Sequence, residues 1–76
     1  MELMSDPILL ILAQELKALG IPDSYYALGH PRDERTCFVF SEGRWLVYYS
    51  ERGQLEDLHE FDNYEDAKAH LISRLQ

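Results

Sequence analysis

Trp45-Leu46-Val47-Tyr48-Tyr49-Ser50, closed by Glu51-Arg52-Gly53-Gln54, is the stretch that decides the fold. Its β-branched and aromatic residues suit a pleated, half-buried surface. Side chains alternate across a strand, so Trp45, Val47 and Tyr49 share one face, and Leu46, Tyr48 and Ser50 share the other. The tetrapeptide after them is a turn signal, with Gly53 available for positive φ. A strand that turns back so soon pairs antiparallel with the next one.

Upstream, Thr36-Cys37-Phe38-Val39-Phe40 has the same character and ends in a second turn signal, Ser41-Glu42-Gly43-Arg44. Downstream, residues 55–61 form a more polar strand ending at Phe61. Before the polar loop at His30-Pro31-Arg32-Asp33-Glu34-Arg35, residues 24–29 form a short first strand.

Helices flank the strands. Ser5-Asp6-Pro7 is a capped helix start. Leu9, Leu12, Leu16 and Leu19 come next at helical spacing, widened by Ile8 and Ile11. Gly20-Ile21-Pro22 ends that helix, predicted over residues 6–19. A second helix opens at Asp62-Asn63-Tyr64-Glu65-Asp66. Either Asp62 with Glu65 or Asn63 with Asp66 has the spacing of a capping box. Its stripe is Ala67, Leu71 and Leu75 with Ile72 beside it, and Arg74 suits the dipole in the last turn.

The order α-β-β-β-β-α predicts an α+β fold: a four-stranded antiparallel meander with the N-terminal and C-terminal helices packed on one face. At 76 residues, with 46% of them hydrophobic, the chain is expected to form one globular domain over residues 1–76.

Both sheet faces read as apolar, whereas a solvated face is ordinarily polar. Trp45 is the largest apolar group, so Trp45, Val47 and Tyr49 are expected toward the helices. That leaves Leu46 and Tyr48, with Phe38 or Phe40, on the open face. An exposed apolar patch marks an interaction site. The alternatives are burial by the polar loop folding over it, or by a bulge, and a homodimer packed through it.

Net charge is −7, from 14 acids against 7 bases. Such a surface repels phosphate backbones, so direct nucleic-acid binding is not expected, and it steers basic partners. From Glu51 to Asp66 there are seven acids against one base, a local balance of −6. Acids at Glu65 and Asp66 suit a helix start, and charge on an edge strand discourages pairing. Glu56, Asp57 and Glu60 are left over and fit a docking surface. The candidate partner-binding residues are therefore Glu51, Glu56, Asp57, Glu60, Asp62, Tyr48 and Leu46.

Catalytic signatures are thin. There is no Gly-rich phosphate loop, paired-cysteine metal motif or nucleophile elbow. Cys37 is the single cysteine, which fits a reducing compartment and forbids an internal disulfide. Mid-strand among apolar neighbours, it reads as a small buried hydrophobe. His30, His59 and His70 lie on three predicted elements, and spacing alone does not gather them. No enzyme activity, metal or cofactor is expected. The N-terminus carries acids where a signal peptide carries bases. The longest apolar run, Ile8 to Ala13, falls well short of the ~20 residues a membrane span needs. A soluble, cytoplasmic protein is expected.

The order of motifs along the chain also carries a resemblance. The helix ending Leu19-Gly20-Ile21-Pro22, then Ser24-Tyr25-Tyr26, Trp45-Leu46-Val47-Tyr48-Tyr49, the turn Glu51-Arg52-Gly53, and Phe61 ahead of Glu65-Asp66-Ala67 cover roughly residues 9–75. In that order they resemble small immunity proteins of bacterial contact-dependent growth inhibition and related polymorphic toxin systems. The resemblance implies binding and neutralising a cognate toxin's C-terminal domain, of nuclease type and basic, inside the producing cell. The alternative is a small homodimeric adaptor or regulatory domain.

Overall fold

The computed structural model describes residues 7–76. Its elements are α1 (Pro7–Ala18), a 3-10 turn (Asp23–Tyr25), β1 (Tyr26–Leu28), β2 (Arg35–Ser41), β3 (Arg44–Glu51), β4 (Gln54–Phe61) and α2 (Tyr64–Leu75). The cap assigned to Ser5 and Asp6 lies outside the described residues. The fold is α+β, with a four-stranded sheet in the order β1-β2-β3-β4. Each helix has 12 residues, so among the described residues no helix is long and apolar enough to cross a membrane.

β2, β3 and β4 form the expected antiparallel meander. Both hairpins turn on two residues with positive φ, Glu42 (51°) with Gly43 (80°) and Arg52 (52°) with Gly53 (80°). That is the type I′ geometry, whose twist matches the strands it joins. The registers Ser41↔Arg44 and Glu51↔Gln54 result from it.

The meander reading is corrected at the first strand, because β1 runs parallel to β2, with Ala27 opposite Cys37. Parallel strands ordinarily need a crossover of a dozen residues or more. Here residues 29–34 suffice, because β1 has only three residues and the chain has only about 10 Å to retrace. Positive φ at Gly29 (91°) and Glu34 (60°) reverses the chain at either end. The Gly29 N–H donates to the Phe38 carbonyl at 2.9 Å, and the Glu34 N–H to the Ser50 carbonyl at 2.6 Å. Residues 24 and 25, expected in the strand, belong instead to the 3-10 turn.

Both helices lie on one face of the sheet, as expected. Leu12 and Leu16 of α1 and Ala67 and Leu71 of α2 join Phe38 and Val47 in one buried core, with Trp45, Phe61 and Tyr64 packed against it. Trp45 stacks on Phe38 at 5.1 Å and meets Tyr64 edge-on at 5.3 Å, geometries that suit the ring quadrupoles. The helix ends obey local chemistry. At the end of α1, the Ile21 N–H reaches the Leu16 carbonyl and the Gly20 N–H the Lys17 carbonyl. Gly20 has φ 82°, which completes a Schellman cap. For α2 the capping pair is Asn63 with Asp66, whose N–H donates to Asn63 Oδ1 at 2.8 Å. Lys68 of α2 pairs with Glu15 of α1 at 2.8 Å.

The second face differs from expectation in its residues, and of the alternatives for it the covering polar loop is the one found. Register places Phe38 opposite Val47 and Phe40 opposite Trp45, so both phenylalanines belong to the helix face, and Cys37 and Val39 join Leu46 and Tyr48 on the other. Nor is that face fully open. The 29–34 link folds over it, with the Cys37 thiol lying 3.5 Å from the Arg32 carbonyl oxygen. Ala27, Cys37, Val39 and Tyr48 are buried in a second small core with Leu46 beside it. The polar loop supplies the cover because the parallel β1 obliges it to cross the sheet.

Candidate functional site: the acidic edge strand and its bulge

β4 is an outer strand, and residues 54–60 are all exposed. Its pairing with β3 is interrupted. Val47 faces His59 and Tyr49 faces Glu56, which leaves Asp57 and Leu58 together opposite Tyr48. This is a β-bulge, which bends the strand and re-aims its side chains. Asp57 takes φ 58° there, a conformation asparagine and aspartate tolerate better than other side chains.

Arg74, from the last turn of α2, holds the bulge from the helix side. Its Nη1 donates to the carbonyl oxygens of Asp57 at 2.8 Å and Val47 at 3.3 Å. Its Nη2 lies 3.6 Å from the Asp57 carboxylate. Beside it, His59 and His70 meet at a tilt of 42° with ring centroids 4.4 Å apart, and Phe61 is 5.2 Å from His70. His59 Nδ1 sits 3.2 Å from the Asp57 carbonyl oxygen. His70 Nε2 is shut away from solvent with no hydrogen-bond partner. Burial first, then the neighbouring His59 and Arg74, hold the His70 imidazole below its ordinary value. Spacing gives no sign of this histidine pair, since only the bulge and the docking of α2 bring it together.

Apart from Asp57, held by Arg74, the predicted acids divide into two groups. Glu60 and Asp62 share Arg44, at 3.2 and 3.8 Å. Glu51 and Glu56 flank Tyr49, whose phenol is raised by desolvation and then by Glu51, Glu34, Glu56 and Asp33. Sequence reasoning misses Asp33 and Glu34 because it reads them only as part of a polar exposed loop. Arg35 pairs with Ser50, so Glu34 meets the end of β3, its N–H on the Ser50 carbonyl, and joins the patch with Asp33 beside it.

Of the two apolar candidates, Leu46 is half-buried and Tyr48 is only 4% exposed. Tyr48 belongs to the small second core with Ala27, Cys37 and Val39. The apolar side chains that do reach the surface on this face are Leu55 and Leu58, at 53% and 41% exposed. Among the described residues no group of three or more His, Cys, Asp or Glu side chains is placed to hold a metal ion.

Compared with models of known protein families, with curated proteins and with solved structures, the chain matches none.

Proposed function

We propose that this protein is an immunity protein that binds and neutralises a basic, nuclease-type toxin domain in the cytoplasm of the producing bacterial cell. The observation that carries the reading is the placement of the acids. Glu56, Asp57 and Glu60 stand on a strand exposed along residues 54–60, with Glu51, Asp33 and Glu34 gathered at one end. A single-sign surface of this kind raises the encounter rate with a basic protein and disfavours acidic competitors. Binding and occlusion need no catalytic group on this chain.

The test is reconstitution with the C-terminal domain encoded by an adjacent large toxin gene. A one-to-one complex and protection on co-expression are expected. Neither appearing would reject the reading. The triple substitution Glu56→Lys, Asp57→Lys and Glu60→Lys should slow association and reduce its salt dependence. An unchanged association rate would take this strand out of the interface.

A homodimeric adaptor is the second reading, favoured by the exposed Leu55 and Leu58. Light scattering at micromolar concentration separates the two, because a stable dimer without toxin supports the adaptor.

A further inference from the structure

Edge strands in natural proteins are protected by charge, by bulges or by a covering element, because an open ladder invites another chain. β4 is protected in part. It has the bulge at Asp57 and the charges of Glu56, Asp57 and Glu60. It also exposes two leucines, which work against that protection. The pairs Ser50↔Leu55 and Leu46↔Glu60 place Leu55 and Glu60 on the second sheet face. Alternation from His59 places Leu58 there as well. The 29–34 link covers the β2 side of this face over Cys37 and leaves the β4 side open.

The charges select what can occupy this edge. A second copy of β4 would bring acids against acids, and like charges opposite one another destabilise a strand pair. A strand carrying lysine or arginine reverses the sign of the same term. We infer that β4 accepts a further strand: its free edge docks an extended basic segment of the partner protein by backbone pairing, with Leu55 and Leu58 as apolar contacts on the second face and Glu56, opposite Tyr49, as a counter-charge on the helix face. This is strand addition, in which main-chain hydrogen bonds give affinity and alternate side chains give specificity. The inference rests on the reading of the protein as a partner-binding module and names the mode of binding.

The probe is a peptide of alternating lysine and valine, of the same length as β4, compared with an all-lysine peptide of that length. Isotope-labelled protein is titrated with each, and amide exchange is read residue by residue. The alternating peptide should slow exchange at alternate residues of 54–61 and bind about tenfold or more tighter than the all-lysine peptide, as expected for burying leucine surface. Leu55→Ser with Leu58→Ser should remove that difference. These side chains are exposed, so the variant keeps its fold, which the unchanged amide spectrum of the core verifies. Glu56→Lys should shift the preference toward a peptide of alternating glutamate and valine.

Equal affinity for the two basic peptides, or exchange unchanged along β4, overturns strand addition. If a toxin complex forms while β4 stays unprotected by the peptide, the docking mode falls and the proposed function stands. If the peptide seats on β4 but no toxin domain binds, the docking mode stands and the proposed function falls.

Discussion

Arg74 Nη1 lies 2.8 Å from the carbonyl oxygen of Asp57, so the last turn of α2 closes the gap that the bulge opens in the β3–β4 ladder. The same nitrogen also reaches the Val47 carbonyl. One guanidinium thus satisfies two strand carbonyls next to the bulge. Cationic side chains near a helix C-terminus are favoured by the dipole as well. Helix docking and strand irregularity therefore depend on one side chain.

Arg74→Ala should destabilise the fold by about 2 kcal/mol, the scale of a charge-assisted hydrogen bond lost from a partly buried site. Asp57→Gly separates the backbone contribution from the carboxylate. It keeps the carbonyl, relieves the positive φ, and removes an exposed carboxylate whose contacts with Arg74 and His59, at 3.6 and 3.9 Å, are worth about 0–1 kcal/mol. Its stability should stay within about 1 kcal/mol of the parent. Urea denaturation of both variants tests this, and a larger loss in Asp57→Gly would assign the main role to the carboxylate.

His70 makes stability depend on pH. Its imidazole is lowered in the folded state by burial, by His59 and by Arg74, with Asp57 opposing. The unfolded chain titrates near the ordinary histidine value of about 6.5. Between the two values the unfolded state binds more protons, so stability is complete above the unfolded value and falls as pH drops through that window. His70→Phe, set against Phe61, should flatten this dependence as pH falls below the unfolded value of about 6.5. Urea midpoints on either side of that value give the measurement, and a parallel decline in both proteins would place the pH sensitivity elsewhere.

The hairpins, the two-helix cover and the helix ends are legible in the sequence because each depends on local chemistry. Gly43 and Gly53 come after residues that can turn, and Gly20 ends an apolar stripe. The direction of β1 is not legible. Nothing in residues 26–28 distinguishes a parallel from an antiparallel pair, and the choice rests on positive φ at Glu34, a residue type with no preference for it. One departure at the site stems from that choice: Tyr48 is buried where a meander would leave it open. The bulge is hidden for another reason. Leu58 breaks the alternation of β4 by a single residue, and in so polar a strand one leucine out of phase does not register as a slip.

Cys37 is fully buried beneath the 29–34 link, and burial is the first cause of its raised thiol value. The thiolate is the reactive form, so the folded protein should resist thiol reagents until the link or the whole domain opens. Labelling should be at least about a hundredfold slower than in urea-unfolded protein, which reflects that opening equilibrium. Gly29→Ala supplies the contrast. The added Cβ meets Leu9 Cδ1 at 3.1 Å and sits at φ 91°, so the link should loosen and labelling should accelerate. A labelling rate in Gly29→Ala equal to that of the parent would show that the link does not gate the thiol.

At Gly53 the cost of a side chain is separable from crowding. Its φ is 80°, and a Cβ built there meets nothing within 4 Å. Gly53→Ala should therefore lose about 1 kcal/mol from backbone strain alone, the scale of a left-handed residue with a Cβ. Asparagine visits that conformation more readily, so Gly53→Asn should recover a large part of the loss. The hairpin it closes carries Glu51 at one side and leads into β4 at the other. Loss of the turn should therefore also weaken protection of the β4 amides before the core strands open, as expected for an edge element of lower local stability. Native-state hydrogen exchange on the three proteins measures both effects. Equal stability of the alanine and asparagine variants would mean that the type I′ turn is not what sets the register of β4.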